Sequence, residues 1–426
     1  MRRYDKYKES GISWIGEIPE HWEVRKIKQA ASCNDETLSE STPLEQVIRY
    51  VEISDVNAVE GVVNVTEYTF GKSPSRARRI TRMNDVIVST VRTYLRAVAR
   101  VTEPNLIVST GFAVLRARHI NNLFLSFLLQ SSGFIDEVIS NSTGLNYPAI
   151  TANKLTALSI PFPPLSEQEA IVAYLEEKVA KMDYLVAKQE TQIGYLRELK
   201  QAIIAKAVTQ GINPQASLRP SGISWIGNIP EHWEVRMLSQ LSQNYFVSNK
   251  DIKHQNLLSL SYGRIIQKDI NTTEGLLPAS YDTYQVIRRE NIVLRLTDLQ
   301  NDHKSLRVGL CMQEGIITSA YLTLTSRSNV KPEFLYFSLH TADIKKVFYG
   351  MGSGLRQNLN WKELRKLSLP LPPLSEQEAI VTYIHRKTEE IDRLIAMTEQ
   401  EIARVRELKQ TLIADVVTGR VNVQPS

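Results

Sequence analysis

The sequence contains few cysteines and no long hydrophobic run. Its two cysteines, Cys33 and Cys311, lie far apart and lack the neighbouring cysteine or histidine residues of a disulfide framework or a zinc site. No stretch of eighteen consecutive apolar residues occurs, and the polar start of the chain has no signal-peptide pattern. With 42% hydrophobic and 23% charged residues, the composition is that of a folded globular protein. We therefore expect a cytoplasmic protein without a metal site.

Sequence motifs of catalysis are also missing. There is no GxGxxG loop and no Asn-Pro-Pro-aromatic string of the kind with which amino-methyltransferases hold a flipped base. Gly71-Lys72-Ser73 resembles the end of a P-loop, but Thr66 stands where the first glycine is required. These absences argue against a nuclease or a self-contained modification enzyme. Either alternative would be supported only by cleavage or methylation of DNA by the purified chain alone.

A long internal repeat dominates the chain. GISWIGEIPEHWEVR at 11–25 recurs at 222–236 with one change, and PPLSEQEAIV at 163–172 recurs unchanged at 372–381. The period is far longer than the 20 to 50 residues of solenoid repeats, so it indicates duplication of a whole module. The interiors between the matching segments share only faint similarity. This contrast predicts one frame that presents two different surfaces.

Each copy of the second repeated segment begins a predicted long helix. Ser166 and Glu169 form a capping-box pattern, and Gly211 and Gly419 mark the two helix ends. Heptad spacing indicates a coiled coil, and a helix of roughly 60 Å is too long for one small lobe, so we expect antiparallel pairing of the two helices. The alternative is that each helix lies on its own lobe as an ordinary amphipathic element. The predicted seam consists of Val172, Leu175, Val179, Met182, Val186, Ile193, Leu196, Val381, Ile384, Ile391, Ile395, Ile402 and Val405.

These patterns predict an α+β fold. Two mixed α/β lobes that contain sheets are joined by two long helices in an antiparallel coiled coil, and the whole is a pseudo-twofold internal duplication. The expected boundaries are 1–165 for the first lobe, 166–211 for the first helix, 212–374 for the second lobe, 375–419 for the second helix and 420–426 for a tail.

Positive charge is concentrated in the lobes. The net charge of the whole chain is +5, and the two helices carry −1 and −3. The rest of the chain therefore carries +9, as expected for lobes that bind a polyanion. Arginine donors suit guanine edges, and glutamine or asparagine suits adenine, but each residue could equally contact phosphates or solvent. The candidate DNA-binding residues are Lys72, Arg76, Arg78, Arg79, Arg82, Arg92, Thr93, Tyr94 and Arg96 in the first lobe, and Arg295, Thr297, Gln300, Asn301, His303, Lys304 and Arg356 in the second.

The repeated segments resemble the specificity subunits of type I restriction-modification systems. The resemblance rests on residues 11–27 and 222–238, and on the strings LSIPFPPLSEQEAIV and LSLPLPPLSEQEAIV that begin at Leu158 and Leu367. It also places Gly144-Leu145 and Gly354-Leu355-Arg356 in a loop before each helix. TGLNYPAI in the first copy differs there from SGLRQNLN in the second, so Arg356 has no basic counterpart.

The resemblance implies a function and a set of partners. Each lobe would be a target-recognition domain for half of a split site in double-stranded DNA. The coil would fix the gap between the half-sites and dock two modification subunits, in a complex with restriction subunits. S-adenosylmethionine, ATP and Mg would then belong to those partners, not to this chain. A coiled-coil scaffold with protein-binding lobes is one alternative, and the specificity subunit of a related fused restriction system outside type I is another.

Overall fold

The computed structural model of this chain describes residues 2–57, 60–271, 280–300, 306–351 and 358–424. Two compact units are present: unit 1 comprises Met1–Gln189 and Glu399–Ser426, and unit 2 comprises Glu190–Thr398. Each unit therefore contains one lobe together with part of both long helices. The chain passes from one unit to the other only within those helices.

Unit 1 combines short strands with short helices. Its strands are β1 (Tyr7–Ile12), β2 (Gly16–Pro19), β3 (Glu23–Lys26), β4 (Ala31–Cys33), β5 (Val47–Val51), β6 (Val56–Asn57), β7 (Gly61–Val62), β8 (Thr66–Thr69), β9 (Ala77–Ile80), β10 (Val86–Ser89), β11 (Val98–Arg100), β12 (Leu106–Ser109), β13 (Phe112–Ala117) and β14 (Ser159–Phe162). Its helices are α1 (Ile27–Ala30), α2 (Asn122–Gln130), α3 (Ser132–Ser140), α4 (Ala152–Thr156), the first part of α5 (Leu165–Gln210) and the last part of α9 (Leu374–Val417).

Among the described residues, unit 2 repeats the outline of this order with fewer strands, and one helix lies where unit 1 has α2 and α3. Its strands are β15 (Leu218–Pro220), β16 (Asn228–Pro230), β17 (Glu234–Met237), β18 (Ser242–Asn244), β19 (Leu258–Ser261), β20 (Arg264–Gln267), β21 (Gln285–Ile287), β22 (Ile292–Leu294), β23 (Val308–Leu310), β24 (Gly315–Ile317), β25 (Leu322–Ser326) and β26 (Ser368–Leu371). Its helices are the last part of α5, α6 (Leu238–Leu241), α7 (Pro332–Ile344), α8 (Trp361–Leu364) and the first part of α9 (Leu374–Val417).

The duplication extends into the lobe interiors. Unit 1 contains a sheet of strand order β11-β10-β13-β4, and unit 2 contains the equivalent order β23-β22-β25-β18. Strands β10 and β22 are buried along their whole length. This burial explains why the faint similarity between the two lobe interiors includes apolar residues at these strands. The parallel pairing of β5 with β12 in unit 1 has its counterpart in a single bridge between Leu257 and Ile316. The predicted α+β fold with internal duplication is confirmed.

Both long helices are present, with slightly different bounds from those predicted. Each begins one residue earlier than the capping box suggests, because the carbonyl of Pro164 accepts the amide of Gln168, and Ser166 thus lies inside the first turn. The helices end beside Gly211 and Gly419, whose φ angles of +74° and +77° favour glycine. Among the described residues, no single helix is long and apolar enough to cross a membrane, although α2 and α3 pass that test as a pair bent by 65°.

Within each unit, the two helix segments run antiparallel. In unit 1, Lys409 Nζ lies 2.6 Å from Asp183 Oδ1, and Gln189 Nε2 donates to Glu401 Oε2 at 2.8 Å. In unit 2, Lys200 Nζ lies 2.7 Å from Asp392 Oδ2. The two lysines occupy equivalent positions of the repeat, as do the two aspartates. Each lysine lies at a polar position of the predicted apolar seam and pairs with an aspartate of the opposite helix. The two ion pairs therefore specify one alignment of the two helices.

Side chains at the predicted seam positions have little exposed surface. Val172, Leu175, Ile193, Val381, Ile384, Ile391 and Ile402 are buried, and Val179, Met182, Val186, Leu196, Ile395 and Val405 are half-buried. The helix ends also join the lobe cores: the start of α5 and the end of α9 pack into the core of unit 1, and the end of α5 and the start of α9 pack into a core of unit 2. The two packing arrangements that the sequence left open therefore both occur, at different points along the helices.

The first repeated segment holds the start of each helix. Trp22 Nε1 donates to Glu167 Oε2 at 2.8 Å, and the ring of His21 contacts the other oxygen of this carboxylate. Unit 2 repeats this arrangement: the side chains of His232 and Trp233 lie 2.6 and 2.9 Å from the carboxylate oxygens of Glu376. A carboxylate in the first turn also suits the positive end of the helix dipole. The near-identical repeated segments thus anchor the helix starts.

Candidate nucleic-acid interface

Two loops of unit 1 are bonded into one surface feature, which we name the first loop pair (residues 90–97 and 141–150). The amide of Ile150 donates to the carbonyl of Thr90 at 2.9 Å. Thr93 Oγ1 donates to Ser142 Oγ at 2.9 Å, and the Thr93 amide donates to the carbonyl of Pro148. These bonds fix the loop after β10 against the loop before α4, although about fifty residues separate them in sequence.

The first loop pair exposes a cation and aromatic rings. The guanidinium carbon of Arg92 lies 5.0 Å from the ring centroid of Tyr147, and both side chains are exposed, as is Tyr94. Arg96 instead bonds Asp136 at 2.6 Å, and the side chain of Thr93 is buried. Arg92 and Arg96 both adopt left-handed backbone angles, φ 51° and 55°, which cost free energy in residues other than glycine and often occur at functional sites. Within the described residues, Arg92 has no carboxylate partner, so its charge is available to a polyanion.

The predicted cluster from Lys72 to Arg82 divides into two groups. Lys72 and Arg76 are exposed and form no ion pair within the part of the chain that the structure describes. The other three arginines have partners within unit 1: Arg82 is exposed and bonds Glu36 at 2.7 Å, Arg78 lies over the Phe70 ring and near Glu40, and Arg79 donates to Thr37.

A short turn connects this cluster to the first loop pair. The Arg76 carbonyl accepts the amide of Thr110, and the Gly111 carbonyl accepts the amide of Thr90, both at 2.8 Å. A side chain at Gly111 would lie 2.7 Å from Ile53 and 3.0 Å from Val91, so a larger residue would force these two side chains to shift. The turn places Arg76 at the same end of unit 1 as Arg92.

Unit 2 has a second loop pair at the equivalent place (residues 295–300 and 358–360). The Leu359 amide donates to the carbonyl of Leu296 at 2.9 Å, and the Asp298 amide donates to Asn358 Oδ1 at 2.9 Å. Among the predicted residues, Gln300 is exposed, and Arg295 and Thr297 are half-buried. The predicted residues Asn301, His303, Lys304 and Arg356 lie outside the described residues.

A buried arginine that the sequence analysis did not single out supports the second loop pair. Arg307 is fully buried, and its guanidinium donates to the carbonyls of Arg295, Thr297 and Asp298 at 3.1, 2.9 and 3.3 Å. It also donates to the hydroxyl of Tyr349 at 3.3 Å. A charged donor that bonds three carbonyls of one short loop fixes the loop's shape. The only feature of the sequence that could have indicated this residue is its position directly before the apolar strand β23.

The two loop pairs thus combine one backbone arrangement with different side chains. The first presents arginine and tyrosine, and the second presents arginine, threonine, aspartate and glutamine. Within the described ranges, no group of three or more histidine, cysteine, aspartate or glutamate residues is placed to hold a metal ion.

Comparisons with known proteins agree on one family. The family model described as "Type I restriction modification DNA specificity domain" matches residues 19–193 and 310–406. The putative type I restriction enzyme MjaX specificity subunit of Methanocaldococcus jannaschii is 25% identical and is matched over 98% of both chains. The type I restriction enzyme EcoKI specificity subunit of Escherichia coli strain K12 is 22% identical over 71% of this chain and 66% of its own length.

One solved structure has a similar fold. It is described as "Structural basis underlying complex assembly and conformational transition of the type I R-M system", and the matched chain has a TM-score of 0.66 at 20% identity. The match covers 94% of this chain and 98% of that one.

Proposed function

Because this chain belongs to the type I restriction modification DNA specificity family, we propose that its two lobes read two different halves of a split, asymmetric DNA site. The observation that carries the proposal is the pair of equivalent loop pairs with unlike side chains. Arg92 and Arg76 suit guanine edges and phosphates, whereas Gln300 suits adenine and Asp298 can accept from cytosine. Two readers with different hydrogen-bonding groups on one duplicated frame fit a site whose halves differ.

In this proposal the helices set the distance between the half-sites. The chain passes between the units only through α5 and α9, so their length limits the separation of the readers. The chain itself carries out no catalysis in this scheme. S-adenosylmethionine, ATP and Mg would be bound by the modification and restriction subunits of the complex.

Two exposed leucine pairs support the docking of two modification subunits. Leu185 and Leu408 lie on the helix segments of unit 1, and Leu199 and Leu394 lie at the repeat-equivalent positions of unit 2. All four leucines are exposed, and exposed apolar side chains that lie together on a surface mark sites of protein contact. Because both units carry the same pair, we expect both to bind the same kind of subunit.

Replacing one leucine pair with glutamate is expected to remove one modification subunit. Glutamate keeps the helix propensity of leucine but places charge in an apolar contact, so partner affinity should fall at least about tenfold on the altered unit. Native mass spectrometry of the assembled complex would show one partner lost for Leu185→Glu with Leu408→Glu, and two lost when all four are changed. Leu374→Glu, at the start of α9, is the control. Two retained partners in every variant would contradict docking at these positions.

The DNA-reading proposal is tested by changing one arginine without an ion-pair partner among the described residues and one arginine with such a partner. Arg92→Ala should weaken binding to the native site by about 10 to 100-fold and relax the base preference in one half-site only, because an arginine contact to a base contributes about 1–3 kcal/mol. Arg82→Ala should change affinity less than about twofold, since Arg82 already bonds Glu36. Methylome sequencing of the host first identifies the split motif, and binding of the complex to that duplex is then measured.

The outcome also separates the competing functions. A protein-binding scaffold predicts no specific affinity for the duplex and no steep salt dependence. A methylated motif that is continuous would contradict the division of reading between two lobes. Equal effects of both arginine changes would contradict the assignment of base reading to Arg92.

A further inference from the structure

The tip of the first loop pair carries a leucine without any packing partner. The Leu145 side chain is 102% exposed, more than every other large hydrophobic residue among those described. A single exposed leucine is common on protein surfaces. This one, however, lies on a loop that is tightly held, and it lies beside the unpaired charge of the proposed DNA surface.

Hydrogen bonds hold the loop that presents Leu145. Thr143 and Ala149 exchange two backbone bonds of 2.9 Å, and Ala149 also bridges to Val91 of the neighbouring loop. Gly144 has a φ angle of +112°, and a side chain there would lie 3.0 Å from the Tyr147 carbonyl, so the tight turn requires glycine. Leu145 is therefore held at a set position relative to the loop that carries Arg92.

The neighbours of Leu145 indicate a polyanionic partner. Arg92 stacks on Tyr147 two residues beyond Leu145 and has no carboxylate partner in the described part of the chain. An apolar protein groove would have to cover this cation, whereas a DNA groove would bind it. The apolar group that B-form DNA presents in its major groove is the C5-methyl of thymine. Insertion of leucine between base pairs would require unstacking, whereas contact with a methyl group requires no distortion.

We propose that Leu145 contacts the C5-methyl group of a thymine in the half-site read by unit 1. This inference rests on the proposed DNA-reading function. It assigns an apolar, specificity-determining contact to a surface whose other contacts are polar. The contact distinguishes thymine from cytosine and from uracil, which lack that methyl group.

The test removes the methyl group and the leucine separately. Duplexes carrying the host's methylated motif are prepared with each thymine in turn replaced by deoxyuridine. The full complex should bind one of these duplexes, altered in one half-site, about fourfold more weakly, as expected for losing one buried methyl group. The Leu145→Ala complex should bind that duplex and the native duplex equally. Leu165→Ala removes a leucine that is 58% exposed at the start of α5, and this matched control should keep the wild-type pattern.

Each other result overturns the inference. Specific binding without sensitivity to any deoxyuridine would remove the methyl contact and leave the DNA-reading function standing. Unchanged sensitivity in Leu145→Ala would assign the methyl contact to another residue. A leucine-dependent increase in the fluorescence of 2-aminopurine in the half-site would indicate insertion between bases instead. Absence of specific binding by the wild-type complex would overturn the proposed function together with this inference.

Discussion

Replacing Arg307 with methionine is expected to abolish recognition of the half-site read by unit 2. The guanidinium is the common donor to three carbonyls of the loop 295–298, and its removal takes all three hydrogen bonds from the loop at once. Loss of a fully buried, hydrogen-bonded arginine should lower the free energy of unfolding of unit 2 by about 3 kcal/mol. A loop that no longer holds its shape should lose several base contacts, so specific binding should fall about 100-fold.

The result depends on the position of the arginine, not on its charge. Arg289→Met removes the same charge from an exposed site in unit 2 and should leave binding and unfolding unchanged. Urea denaturation of the full chain, followed by binding of the assembled complex to duplexes altered in one half-site at a time, separates stability from reading. If Arg307→Met still discriminates among bases in both half-sites, the arginine does not organise the second reading loop.

The helical part of this fold could be predicted from sequence because its signals are local. Heptad spacing from Val172 onward and the glycines at 211 and 419 sufficed to place two long helices. Lys200 and Lys409 are polar residues within the apolar heptad pattern. Each lies about two hundred residues from its aspartate partner in sequence, so only the structure shows that these lysines and aspartates pair across the seam. The lobes' common strand order was not predicted, since their interiors preserve apolar character without preserving residues.

The candidate site was predictable only in part, for the same physical reason. Sequence shows where arginines cluster, but whether each charge is free depends on residues that are distant in the chain. Arg82 is paired by Glu36 and Arg96 by Asp136, whereas Arg76 and Arg92 are unpaired within the described residues. Arg307 falls outside every basic cluster, yet it bonds the backbone of the loop that the sequence analysis selected. Charge patterns therefore select candidate residues, and tertiary contacts show which of their charges already have a partner.

Lengthening both helices by four residues is expected to move methylation to a site with a longer spacer. We propose insertions after Gln189 in α5 and after Thr398 in α9, where the chain passes between the units. Four helical residues add about 6 Å and rotate the following segment by about 40° beyond a full turn. One or two base pairs add about 3.4 to 6.8 Å and rotate the duplex by about 35° to 70° in the same right-handed sense. The lengthened protein should therefore match a spacer longer by one or two base pairs, and methylation of the native site should fall at least about 100-fold.

A seven-residue insertion gives a sharper contrast because length and rotation then disagree. It adds about 10 Å, close to three base pairs, but it leaves the following segment about 20° short of two full turns. Three base pairs rotate the duplex by about 100°, so one reader would face away from its half-site and activity should be low at every spacer. Four residues inserted between Gln215 and Ala216, in an exposed loop outside the helices, are the control and should leave the spacer unchanged. Methylome sequencing of hosts carrying each variant measures the preferred spacer directly. If the four-residue variant keeps the native spacer, the helices do not set the distance between the half-sites. High activity of the seven-residue variant would show that the two lobes rotate freely about the helices.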